Sequence, residues 1–156
     1  GAVVGPAVDS PEVVFLVAGD GAEADYVRRR AYDEGLPIRM LGWRDDVGPV
    51  FSASDLTVLT SDNEGTPISL VQAGMAGVAA VASDVGSVRE IVEDGVTGVL
   101  RPPAADALAE AVAELLADPR ARASMGSAAV ERTRRFTTEA LATAHLALYR
   151  DLLTGR

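Results

Sequence analysis

Thr60-Ser61-Asp62-Asn63-Glu64-Gly65-Thr66-Pro67-Ile68-Ser69-Leu70-Val71-Gln72-Ala73-Gly74-Met75-Ala76-Gly77 is the stretch on which the fold turns. Just before it, Leu56-Thr57-Val58-Leu59 is short, apolar and partly β-branched, the composition of a strand. Ser69 to Ala76 has the composition of a helix. A strand that ends in an acidic, glycine-containing turn and runs straight into a helix gathers a carboxylate, a pliable backbone and free amides at one point. Such a point suits a polyhydroxylated or phosphorylated ligand.

The same alternation continues outward. Val13 to Ala18 reads as a strand closed by Gly19-Asp20-Gly21, and Ala22 to Glu34 as a helix stopped by Gly35-Leu36-Pro37. Ile38 to Leu41 is a second strand, followed by Gly42-Trp43-Arg44-Asp45-Asp46 and a short helix over Val47 to Ser54. Beyond the central stretch come a strand at Val78 to Ala82, a loop at Ser83 to Ser87 and a helix at Val88 to Glu93. Thr97 to Leu100 is a fifth strand, closed by Pro102-Pro103. Strands that alternate with helices and are apolar on both faces predict an α/β fold, a doubly wound parallel sheet covered on both sides.

The last third predicts helices. Leu108, Ala111, Val112, Leu115 and Leu116 share one helical face. Asp118-Pro119 opens the next helix, and Leu141, His145, Leu148 and Leu152 line a final one entered through Thr137. The expectation is one domain over residues 1–156: a weakly patterned segment at 1–12, a Rossmann-like core at 13–103 and C-terminal helices at 104–156.

Composition removes whole classes of function. The net charge of −9 argues against a nucleic-acid partner. All 14 basic residues are arginine, so a lysine-dependent phosphate loop and Schiff-base chemistry are excluded. With no cysteine and one histidine, thiolate sites and the two-histidine zinc helix are excluded too, and no metal site is expected. No apolar run approaches the roughly 20 residues of a membrane helix, and the start lacks a signal peptide's basic residues. A cytoplasmic address is expected.

Ligands of a doubly wound sheet sit outside the carboxyl ends of its strands, which selects three loops. Gly19-Asp20-Gly21 lacks the third glycine of the dinucleotide fingerprint and reads equally as a tight turn. Trp43 either stacks on a base or packs on the surface. Asp45-Asp46 reads as a pair of helix-start carboxylates rather than a metal site. At the third loop Gly65 admits close backbone approach, Thr66 can cap the helix, and Pro67 suits its first turn. The exposed amides there favour a diphosphate, and Glu64 can accept hydrogen bonds from sugar hydroxyls. Its plainer reading is an acid near a helix N-terminus. Gln72 is either a solvated helix position or a ligand contact. His145 reads as a packed histidine, and the arginines at 28–30, 132, 134 and 135 as solvated helix faces.

Leu16 to Gly21, Leu41-Gly42, Ser54-Asp55-Leu56, Ser61 to Ala73, Val81 to Gly86 and Asp94 to Gly98 occur in that order. Together, over about residues 13–136, they resemble the C-terminal, donor-binding half of a group 1 (family 4) retaining glycosyltransferase of the GT-B fold. The resemblance implies a nucleotide-diphosphate-sugar donor and transfer of a hexose-type sugar to an acceptor hydroxyl with retention, with no cofactor and commonly no metal. It makes Glu64 the catalytic-site carboxylate that positions the sugar. Gly19, Gly21, Trp43, Arg44, Ser61, Gly65, Thr66, Pro67 and Gln72 become the donor-binding set, with the Gly42 to Asp46 loop by the base and Gly65 to Pro67 by the diphosphate. Two departures stand out. Gln72 occupies the place of the family's second glutamate, which meets the ribose. The Arg and Lys that neutralise the diphosphate in an early loop of the family's domain find no match. The chain is thus expected to be the isolated half of a larger enzyme, without the N-terminal acceptor-binding domain and inactive alone. The alternatives are a non-catalytic nucleotide-sugar-binding module, a GT-B sugar-nucleotide epimerase, and a structural domain self-associating through its final helix.

Overall fold

Ala80, Ala82 and Leu100 belong to one buried cluster, and Val81 and Val99 to another. Successive residues of a strand point to opposite faces, so strands that are apolar at every position need a cover on both sides. The computed structural model, which describes residues 13–155, shows how the chain provides it. The weakly patterned segment at 1–12 lies outside the described residues.

The elements run β1 (Phe15–Ala18), α1 (Ala24–Asp33), β2 (Ile38–Gly42), α2 (Gly48–Ser52), β3 (Thr57–Leu59), α3 (Ile68–Met75), β4 (Ala80–Ser83), α4 (Val88–Ile91) and β5 (Gly98–Arg101). Three helices follow: α5 (Ala105–Ala117), α6 (Pro119–Thr133) and α7 (Thr138–Thr154). Among the described residues the strands pair in parallel, β1 with β2, and β4 between β3 and β5. Val81 lies in register with Val58 on one side and Val99 on the other. Leu70, Val71, Val88, Ile91 and Val92 cover one face of this sheet. Leu108, Ala111 and Leu115 of α5 cover the opposite face.

Full cover on both faces holds for β4, which is buried along its whole length, but not for the strands that precede it. The described strands form a two-stranded and a three-stranded sheet rather than one. Leu16 of β1 and Val58 of β3 are each 37% exposed. The first sheet holds β1 and β2, and the second has the order β3-β4-β5. Among the described residues β1 pairs only with β2, and β3 only with β4.

The helix starts follow the sequence. The Asp118 carboxylate accepts hydrogen bonds from the amides of Arg120 and Ala121 at 3.0 and 2.9 Å, and the Thr137 hydroxyl accepts from Ala140 at 3.1 Å. Two expectations fail. His145 is exposed rather than packed, because α7 buries none of its stripe among the described residues. Arg132 is not a solvated face: its guanidinium donates to the carbonyls of Arg89, Glu90 and Ile91 at 3.1, 3.1 and 2.8 Å. Arg135 also donates to the Glu90 carbonyl. Helix α4 ends there, and a planar cationic fork is well matched to its unpaired carbonyls.

Helix α6 lies against the end of α3 through a glycine contact. A Cβ at Gly126 would fall 2.0 Å from the carbonyl oxygen of Gly77, so only glycine permits this approach. Gly126→Ala is therefore expected to lower stability by about 1–3 kcal/mol through overpacking, even though alanine is the better helix former by about 1 kcal/mol. Urea unfolding checks this, and an unchanged or raised midpoint would contradict the contact.

Candidate functional site

Parallel pairing brings the loops after β3 and β4 to the same edge of the sheet. At that edge the Ser83-Asp84-Val85-Gly86-Ser87 segment lies directly on the backbone of Glu64. Gly86 has φ +51°, and a Cβ on it would lie 1.9 Å from the Glu64 carbonyl oxygen and 3.2 Å from the Glu64 nitrogen. The Ser87 amide donates to that same carbonyl at 3.3 Å. Beyond the turn, Asp84 pairs with Arg89 at 2.5 Å. The Asp84 carboxylate, by hydrogen bond and charge, raises the Arg89 guanidinium above its ordinary value.

The Glu64 side chain is held as well. The Ser61 hydroxyl donates to Glu64 Oε1 at 2.6 Å, and both residues are partly buried. Gly65 and Thr66 are exposed, and a Cβ at Gly65 would meet nothing within 4 Å among the described residues. The expected cap is not formed by Thr66: Pro67 occupies the N-cap position and no side chain bonds the first amides of α3. Proline at the cap with an extended ψ of 90° moves the threonine one residue too far out to reach them. The Leu70 amide donates to the Pro67 carbonyl at 3.0 Å, and the helix dipole favours an anion at the amides of Ile68 and Ser69 before it.

The loops after β1 and β2 are tied together. Gly19, at φ 137°, donates its amide to the Gly42 carbonyl at 2.8 Å, and a Cβ at Gly19 or Gly21 would meet no atom of the described residues within 4 Å. Trp43 is 76% exposed, and its indole N–H donates to Asp45 at 3.1 Å. Arg44 Nε donates to the Asp46 carbonyl at 3.3 Å, while the Asp46 carboxylate accepts from the Gly48 amide at 3.2 Å, where α2 begins. Both aspartates are thus engaged locally. No cluster of three or more possible metal ligands exists among the described residues.

Gln72 is exposed on α3 and lines a groove of about 290 Å³ with Val47, Gly48, Phe51, Ser52, Met75 and Ala76. The groove runs between α3 and α2, so Gln72 faces the end of the loop that carries Trp43 and Arg44. The structure brings Ser61, Glu64, Gly65 and the start of α3 together, and sets Gln72 about one helix turn further along α3. Sequence reading gave the Ser83–Ser87 loop no part in the site. Its signal was present, a glycine just after a strand end, but only the fold shows what that glycine touches.

Comparison with known proteins identifies the family and the fold. The family model for group 1 glycosyl transferases matches residues 6–132. The chain is 32% identical over 153 residues to an exopolysaccharide phosphotransferase of Streptomyces coelicolor, covering 95% of this chain and 16% of that protein. It is 35% identical over 130 residues to a phosphatidyl-myo-inositol mannosyltransferase of Mycolicibacterium smegmatis, covering 81% of this chain and 33% of the other. The crystal structure of HepE from Anabaena in complex with UDP-glucose superposes with a TM-score of 0.75 at 28% identity, over 89% of this chain and 42% of that one. The chain therefore spans a third or less of the two curated relatives. No helix among the described residues is long and apolar enough to cross a membrane. With the family model covering most of the sequence and the parallel sheets flanked by helices, the chain belongs to the group 1 glycosyltransferases and has the architecture of the C-terminal-type domain of their GT-B fold.

Proposed function

We propose that this chain is the donor-binding half of a glycosyltransferase, and that it holds a nucleotide-diphosphate sugar whose hexose-type sugar passes to an acceptor hydroxyl with retention. The observation that carries the reading is a carboxylate fixed by Ser61 beside the uncapped start of α3. Glu64 orients the sugar ring through its hydroxyls and is not the nucleophile. The diphosphate lies along Gly65, Thr66 and Pro67, where amides and dipole are already aimed at it. As the anomeric C–O bond breaks, negative charge grows on the departing diphosphate, and donors fixed beforehand stabilise that charge without reorganising. The Trp43 and Arg44 loop and the Gly19–Gly21 turn flank the nucleoside, with Gln72 toward the ribose. The UDP-glucose in the HepE complex supports a donor of this class.

Acceptor recognition belongs to the part of the relatives' length that this chain does not span, so residues 1–156 by themselves transfer no sugar. A cytoplasmic address and independence from a metal or other cofactor belong to the same proposal. One observation favours a second reading, a non-catalytic nucleotide-sugar-binding module. Gln72 offers a neutral amide where a carboxylate would give a hydrogen bond roughly twice as strong.

Glu64→Ala is expected to weaken UDP-glucose binding about 10- to 100-fold, as loss of a hydrogen bond to a charged group does, while affinity for UDP alone stays the same. Calorimetric titration with several nucleotide sugars measures this, and an unchanged sugar-dependent affinity would sink the assignment. Gln72→Glu is expected to tighten UDP binding several-fold by making the bond charge-assisted. The same titration showing no change, or weaker binding, would move Gln72 away from the ribose.

A further inference from the structure

We infer that Ser61 and Gly86 are positioning residues that act on the donor only through Glu64, an inference that rests on the donor-binding reading above. A carboxylate at the end of a loop has two freedoms that matter for orienting a sugar, the path of its backbone and the rotation of its side chain. The structure removes both. The backbone of Glu64 is pinned by the turn after β4, where Gly86 at φ +51° packs against its carbonyl and nitrogen and Ser87 donates an amide to it. The side chain is turned by the Ser61 hydroxyl on Oε1 at 2.6 Å.

This changes the role expected of Ser61 from the sequence. A hydroxyl whose proton is committed to Glu64 Oε1 is not available to donate to a phosphate. Its hydrogen bond also occupies one carboxylate oxygen and leaves the other for a sugar hydroxyl. Gly86 enters the same machinery from a different strand. A side chain there would have to displace the Glu64 backbone, and in a positive-φ conformation that L-residues rarely adopt. The loop after β4 therefore sets where the carboxylate stands, and Ser61 sets which way it faces.

Titration of the full-length protein with UDP and with UDP-glucose separates this from direct contact. Ser61→Ala is expected to weaken UDP-glucose binding about tenfold, the order of one lost charge-assisted hydrogen bond, and to leave UDP unchanged. Ser61→Thr, which keeps the hydroxyl, is expected to restore most of the loss. Gly86→Ala is expected to reproduce the selective loss, and wild-type affinity for UDP-glucose in that variant would overturn the brace. In a Glu64→Ala background, Ser61→Ala is expected to add nothing. A further loss there, or an equal loss for UDP and UDP-glucose, would show that Ser61 meets the donor itself and would overturn the inference. The crystal structure of the ligand-free Ser61→Ala protein decides the same point independently of donor identity. A displaced Glu64 carboxylate is expected, and an unmoved one refutes the positioning role. Should Glu64→Ala bind UDP-glucose as the wild type does, the donor reading fails, while that structure still tests Ser61.

Discussion

The site depends on one steric contact, the turn at Gly86 laid against the peptide of Glu64. Everything that makes it possible lies deeper in the chain. Parallel strands β3 and β4 present their carboxyl ends at one edge, so the loops leaving them are neighbours. Strand β4 is buried along its length by Val81 on one face and Ala80 and Ala82 on the other. A loop leaving so well anchored a strand can serve as a fixed stop for the more open loop beside it.

The reading of the chain as alternating strands and helices was legible from composition and punctuation. Apolar runs such as Val78 to Ala82 and stops such as Asp94-Gly95 depend on local chemistry, and local chemistry is written in order along a sequence. Asp118 and Thr137 were legible as helix starts for the same reason, since a cap reaches only two or three residues. What failed was non-local. Nothing near Arg132 announces that it reaches the carbonyls of α4, some forty residues earlier in the chain. Nothing near His145 shows that its stripe goes uncovered. The division into two sheets likewise depends on which strands meet, and apolar runs do not state their partners.

At the site itself, the carboxylate, the glycine beside it and the helix that follows were legible. The details of their hold were not. Thr66 looked like the cap because threonine favours that position, but Pro67 took it and no side chain replaced it. The outcome suits an anion better than the expectation did, because a side-chain cap would compete for the same amides. Ser61 read as a ligand contact, and the structure shows its hydroxyl donating to the acid three residues on. Gln72 lines a groove with Val47 and Gly48, at the end of the loop bearing Trp43. Helix α3 thus carries both the start beside Glu64 and the Gln72 side of the groove.

The claim that an activated sugar rests on Glu64 is tested most directly by a crystal structure of the full-length protein with UDP-glucose bound. The account predicts a sugar hydroxyl within hydrogen-bonding distance, about 2.5–3.0 Å, of a Glu64 carboxylate oxygen, with the diphosphate at the start of α3. A bound donor lying elsewhere, with Glu64 turned to solvent, would contradict it.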